Sequence, residues 1–175
     1  MSASGPASLN SGYRAVIRRG AVADAPVALS IIEEAAAWAA ARRMDVWYPQ
    51  ELRLEDFSKA AAAAELVIGY ADDVPAATML LQAADPVYWP DEAPRSALYL
   101  HKVAVRRAFA GQSWLRRLVD FAAEEAQRAR IARLRLDTIQ RPKLRSMYEG
   151  HGFHVLDEPP LAMFGKTMIR MERVL

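Results

Sequence analysis

Three consecutive segments decide the fold: ALYLHKVAV (residues 97–105), GQSWLRRLVDFAAEEAQRAR (residues 111–130) and LRLDTI (residues 134–139). The first and third are short runs rich in Leu, Val and Ile, which read as strands. The middle one repeats Leu115, Leu118, Val119, Ala122 and Ala126 at the spacing of a single helix face. Together they predict a βαβ unit, with Gly111 permitting the turn into the helix. Such a turn presents free backbone N–H groups and the positive end of a helix dipole to an anion such as a phosphate. Many α/β proteins use the same turn with no ligand, so the pattern alone leaves both readings open.

Upstream, residues 13–18 alternate as a strand, and Asp24 and Pro26 supply an N-cap and a first-turn proline for a helix running to about Arg43. Trp47, Tyr48 and Pro49 interrupt, and the alanine-rich residues 51–64 form a second helical candidate. Residues 66–70 and 75–83, joined by Asp72 and Asp73, predict an antiparallel hairpin, and residues 86–94 read as a loop. Downstream, Pro142 opens a short helix that Gly150 and Gly152 close. A strand from Phe153, a loop at Pro159 and Pro160, and a last strand over residues 166–174 complete the order β-α-α-β-β-β-α-β-α-β-β.

Length and composition agree with one globular domain. The chain has 175 residues, 53% hydrophobic and 25% charged, which suffices for one core and is too short to expect two. Residues 1–12 are small and polar and are expected to be a flexible tail ahead of a single domain at residues 13–175. The net charge is +2 with both signs interspersed, so nucleic acid is not an expected partner. No apolar run approaches a membrane span. The absence of cysteine excludes disulfides and a cysteine nucleophile; no metal site is expected, and the cytoplasm is the default location.

Leu100-His101-Lys102-Val103-Ala104-Val105, the following Arg106 to Gly111, the strand with Asp137, and Leu144-Arg145-Ser146-Met147-Tyr148-Glu149-Gly150-His151-Gly152-Phe153 resemble the core of the GNAT acetyltransferases, in that family's order. The L…YE..GF ending is the most specific part. The resemblance implies an α/β fold, a mixed, mostly antiparallel sheet of six to seven strands with splayed central strands and about four helices. It also implies acetyl-CoA as co-substrate, bound along Val103, Ala104 and Val105 and on the loop Ala110, Gly111, Gln112, Ser113, Trp114 and Leu115, with Arg141, Leu144 and Tyr148 completing the site. The N–H of Val103 would face the thioester oxygen, where it can stabilise a tetrahedral oxyanion.

The reaction implied is direct attack of a primary amine, of a small molecule or a protein, on the thioester. An alkylamine of pKa about 10.4 is neutral in only roughly one molecule in 2,500 at pH 7, so a base is expected. Tyr148 matches a family tyrosine that protonates the departing thiolate; the alternative is a packed ring whose hydroxyl bonds a backbone carbonyl. His101 and Tyr99, two residues apart on one strand, share a face and are the base candidates. Glu33 and Glu34 read as a solvated helix face. Ala110, Ser113 and Leu115 depart from the family's glycine-rich pyrophosphate loop, and Arg141 stands where an asparagine is common. Arg106, Arg116, Arg117 and Arg141 are candidates to compensate by charge. A second reading is a GNAT-fold binding or regulatory protein with a degenerate site. A third is a structural homodimer anchored by Trp47, Tyr48 and Trp89.

Overall fold

The computed structural model describes residues 12–44 and 46–175; residues 1–11 of the expected tail lie outside it. The elements are β1 (Ala15–Arg19), α1 (Ala25–Ala40), α2 (Leu54–Ala62), β2 (Leu66–Ala71), β3 (Val74–Gln82), β4 (Leu98–Val105), α3 (Trp114–Arg128), β5 (Arg133–Ile139), α4 (Pro142–Glu149), β6 (His154–Val155), β7 (Leu161–Met163) and β8 (Lys166–Val174). Seven strands lie side by side in the order β1-β2-β3-β4-β5-β8-β6, and the short β7 pairs with β8 as an eighth. β4 and β5 run parallel, as their helical crossover requires, and every other pairing is antiparallel.

Each face of the sheet is covered by its own core. Val67, Met79, Leu81, Leu98, Leu100, Leu134 and Leu136 pack on Leu118, Val119, Ala122 and Ala126 of α3 and on Tyr148 of α4. Leu66, Ile68, Leu80 and Ala104 pack on the other face against Ala28, Ile31 and Ile32 of α1 and Phe57 of α2. Trp114 enters the first core edge-close to the backbone. A Cβ built on Gly69 would stand 2.6 Å from its ring, so β2 admits only glycine there without a shift. The indole also stacks on Tyr13, with centroids 5.9 Å apart, and donates its Nε1 hydrogen to the Tyr13 hydroxyl at 2.9 Å.

β4 breaks its alternation at one point. Leu80 pairs with His101 and Thr78 with Ala104, so Met79 alone opposes both Lys102 and Val103. The extra residue is Lys102, at φ +51°, a left-handed conformation that costs a non-glycine residue roughly 1–2 kcal/mol. The consequence is a change of parity. Leu98 and Leu100 face the α3 core before the bulge; Val103 and Val105 pack on that core after it, and Ala104 faces α1.

Three local expectations are corrected. Asp24 does not cap α1 through its side chain; its carboxylate accepts the Ala21 N–H at 2.8 Å, closing a 3-10 turn before the helix, and binds Arg18. The second helix starts only at Leu54, because Pro49–Glu51 forms a separate 3-10 turn. β7 stands in a stretch with too few residues for an alternation to show, and its pairing is fixed by the tight turn at Phe164 and Gly165, both at positive φ.

Candidate active site

β4 and β5 pair only from Leu98 with Leu134 to Leu100 with Leu136, and beyond that the two strands part. A cavity of about 720 Å³ opens in the fork. Residues 100–105 of β4 and 137–139 of β5 form its walls, with Arg141, Leu144, Met147 and Tyr148 on the α4 side. Its far wall comes from the end of α1 (Ala35, Trp38, Ala39), Met44, Val46 and Trp47, the loop residues 84–88, Glu51, Phe164 and Lys166.

At the crotch of the fork His101 lies between two carboxylates. Its Nε2 is 3.3 Å from Asp85 Oδ2 and its Nδ1 3.2 Å from Asp137 Oδ1. Neither carboxylate oxygen has an aligned hydrogen-bond donor, so the attraction is mainly one of charge. Burial disfavours the imidazolium, but the two carboxylates outweigh it and raise His101 to about 9. The ring is therefore charged at neutral pH. Asp85 is held in place by the N–H groups of Val87 and Tyr88, both donating to Oδ1 at 3.1 Å. Burial pushes its carboxyl up, but His101 and these donors leave it below its ordinary value. One donor atom from each of the three residues lies within 4.8 Å of the others, a spacing that a metal ion can use. The two ring nitrogens face different carboxylates, however, and one ion cannot lie between the ring and both of them.

Tyr148 is buried, lines the cavity, and packs edge-on to Phe153 with centroids 6.1 Å apart. Burial, aided by the charge of Asp137, pushes its phenol up from the ordinary value, so the group is protonated and available as a donor. Tyr88 is pushed up in the same way, by burial and by Asp137 and Asp85.

Tyr99 shares a face with His101 but lies in the closed part of the fork, outside the cavity wall. It is buried against Trp89 at 5.1 Å, with its hydroxyl 3.3 Å from Ser96 and 3.5 Å from an Arg135 nitrogen. Val103, Ala104, Val105, Leu115, Arg141, Leu144 and Tyr148 all line the cavity. Ala110, Gly111, Gln112 and Ser113 form the loop beyond it, and Trp114 is turned into the core. That loop suits an anion. Gly111 sits at φ +76° in open space, Ser113 is left-handed at φ +61°, and no side chain caps the first-turn amides of α3.

Two expectations about charge change. Glu34 is no idle surface group: its carboxylate accepts from Arg106 at 2.8 Å and from the Arg107 N–H at 2.7 Å, tying α1 to the loop after β4. Arg106 also bonds Ser30 and the Pro75 carbonyl, so it is fully engaged in structure. Of the four arginines considered for a phosphate, Arg141 reaches the cavity wall, as does Arg107, which lies over the Trp38 ring at 3.9 Å. Asp85, Asp137, Glu51 and Lys102 were not among the sequence candidates. The adjacent polar pair His101-Lys102 inside an apolar strand, and Asp137 inside another, were the signals available.

A family model described as an acetyltransferase (GNAT) domain matches residues 53–175. The chain belongs to the GNAT acetyltransferase family. The likeness to solved GNAT structures reaches beyond the matched residues, over up to 94% of the chain. An acetyltransferase of the GNAT family from Listeria monocytogenes superposes with a TM-score of 0.77 at 20% identity, covering 94% of this chain and 97% of that one. The PaiA N-acetyltransferase of Thermoplasma acidophilum, in complex with coenzyme A, gives 0.71 at 14% identity over 93% and 99%. YncA of Salmonella typhimurium, solved with its cofactor acetyl-CoA, gives 0.69 at 17% over 92% and 94%. No curated protein sequence matches the chain. Among the described residues no helix is long and apolar enough to cross a membrane.

Proposed function

We propose that this GNAT protein is an N-acetyltransferase that moves the acetyl group of acetyl-CoA to a primary amine by direct attack on the thioester. The observation that carries the reading is the fork between β4 and β5, which joins an uncapped helix N-terminus at one end to Tyr148 and a half-buried His101 at the other. When bound, acetyl-CoA supplies an activated acetyl thioester. The unpaired edge of β4 at Val103, Ala104 and Val105 would hold its amides, and the loop from Ala110 to Leu115 its pyrophosphate, with Arg107 and Arg141 adding positive charge.

The chain's own residues then divide the proton traffic. The Tyr148 phenol donates to the leaving sulfur, a role its protonated state suits. The His101 imidazole accepts the amine proton from its neutral form, which becomes the major one above about pH 9. Asp137 and Asp85 attract the cationic acceptor and stabilise the imidazolium, so His101 takes the amine proton only from the neutral form that rising pH supplies.

Acetyl-CoA turnover over a panel of primary amines, with calorimetric titration of the cofactor, tests the reading. Saturable binding with acetylated product is expected. No heat and no thermal shift at millimolar acetyl-CoA would defeat it and leave a fold used for binding or regulation.

A further inference from the structure

The wall of the fork carries two groups of charge of opposite sign. We propose that the acceptor is a small amino acid, carrying a carboxylate beside its amine, and that Lys102 selects it. The inference rests on the amine-acetylation reading and names the substrate class for that same site.

The bulge in β4 is what puts Lys102 there. Because Met79 opposes two residues, Lys102 and His101 are not separated onto opposite faces, and both line the cavity. The other cavity charges at this end are engaged. Lys166 donates to Glu51 at 3.0 Å and to the Val46 carbonyl at 2.9 Å, and His101 stands between Asp85 and Asp137. Lys102 has no hydrogen bond or ion pair among the described residues, and burial holds its ammonium below the ordinary value despite the charges of Glu51 and Asp137. A half-buried ammonium without a partner is costly unless a ligand anion supplies one.

The balance of charge points the same way. Asp85, His101 and Asp137 form a pole with one excess negative charge, and Glu51, Lys166 and Lys102 form a pole with one excess positive charge. An ammonium suits the first and a carboxylate the second, while Trp38 and Trp47 offer an apolar wall to the body between. The phosphates of acetyl-CoA are not the natural partner of Lys102, because the α3 loop follows Val105, about 10 Å further along the strand.

The test uses matched acceptors of small, aliphatic and aromatic side chain, namely alanine, leucine and phenylalanine, each with its carboxamide and its decarboxylated amine. kcat/KM is measured at saturating acetyl-CoA, and binding of the same compounds to the CoA-loaded protein is read by thermal shift. The wild type is expected to prefer the acid over the amide roughly ten- to hundred-fold, the range of a charge-assisted hydrogen bond. Lys102→Met should bring that ratio to about one by lowering only the acid, and Lys102→Arg should keep most of it. Equal or better use of the amides by the wild type, or equal loss of acid and amide in Lys102→Met, would overturn the proposal. Binding that prefers the acid through Lys102 with no acetylation would uphold this subsite and defeat the acetyltransferase reading; turnover without acid preference would do the reverse. Neither binding nor turnover of any of these compounds would overturn both.

Discussion

His101 is the first residue of β4 beyond its pairing with β5, Asp137 is the first of β5 beyond its pairing with β4, and their side chains meet at 3.2 Å. The strands part there, and a charged pair occupies the space that a paired sheet would have closed. With Asp85 at the other ring nitrogen, the imidazole stands between two carboxylates that favour its cationic form.

The first expectation concerns pH. Burial lowers and the two carboxylates raise His101, leaving it at about 9 against an unfolded value near 6.5. A raised pKa means stability that is fully present below about 6.5 and lost as pH rises through about 9. An NMR titration of the His101 ring should show a midpoint near 9, falling in Asp137→Asn, and acetylation should rise with pH up to that midpoint. A midpoint below 7 in the wild type would refute the triad.

Tyr148→Phe tests the acid role with little structural disturbance, because the ring packing on Phe153 is retained. Loss of a positioned proton donor should lower kcat about 10²-fold or more, with the KM for acetyl-CoA and the melting temperature nearly unchanged. Full activity in this variant would remove Tyr148 from the chemistry.

Gly69→Ala places a methyl group against the Trp114 ring, 2.6 Å away before relaxation. Overpacking of this kind costs about 1–3 kcal/mol. Combining it with Trp114→Leu should cost less than the two changes added, since they share one space. Strict additivity in chemical denaturation would show that the contact is not the cause.

Glu34→Gln weakens the tie between α1 and the β4–α3 loop. The Arg107 N–H, opposed in part by burial and supported by Arg106, holds the Glu34 carboxyl below its ordinary range. The stability it adds is present above that ordinary range and lost as pH falls through the depressed value. The side chain is 36% exposed, so solvent screening limits the loss to about 1 kcal/mol. A wild-type minus variant difference that did not shrink on acidification would exclude this origin.

Much of the architecture is legible in local sequence. Period two in β2 and β3, period 3.6 in α3, and Pro142 with Gly150 and Gly152 around α4 each follow from backbone geometry that neighbouring residues determine. Tyr148 is legible for the same reason, since its place in α4 is set by the turn that follows it. β7 is not, because three residues between a proline pair and a tight turn carry no period. Glu34 reads as surface because its partners stand 72 and 73 residues away.

By itself, the sequence determined the succession of strands and helices apart from β7, the βαβ crossover, and the tyrosine-bearing end of the fork, because these depend on alternation and turn chemistry within a few residues. Only the tertiary structure decided the site. Asp85, His101 and Asp137 come from a loop and two strands, and they converge because β4 and β5 stop pairing at Leu100 and Leu136. Lys102 joins them because a single opposing residue, Met79, reverses the parity of β4. Neither event is written in the period of any one segment; both arise from how one strand is matched against its neighbours.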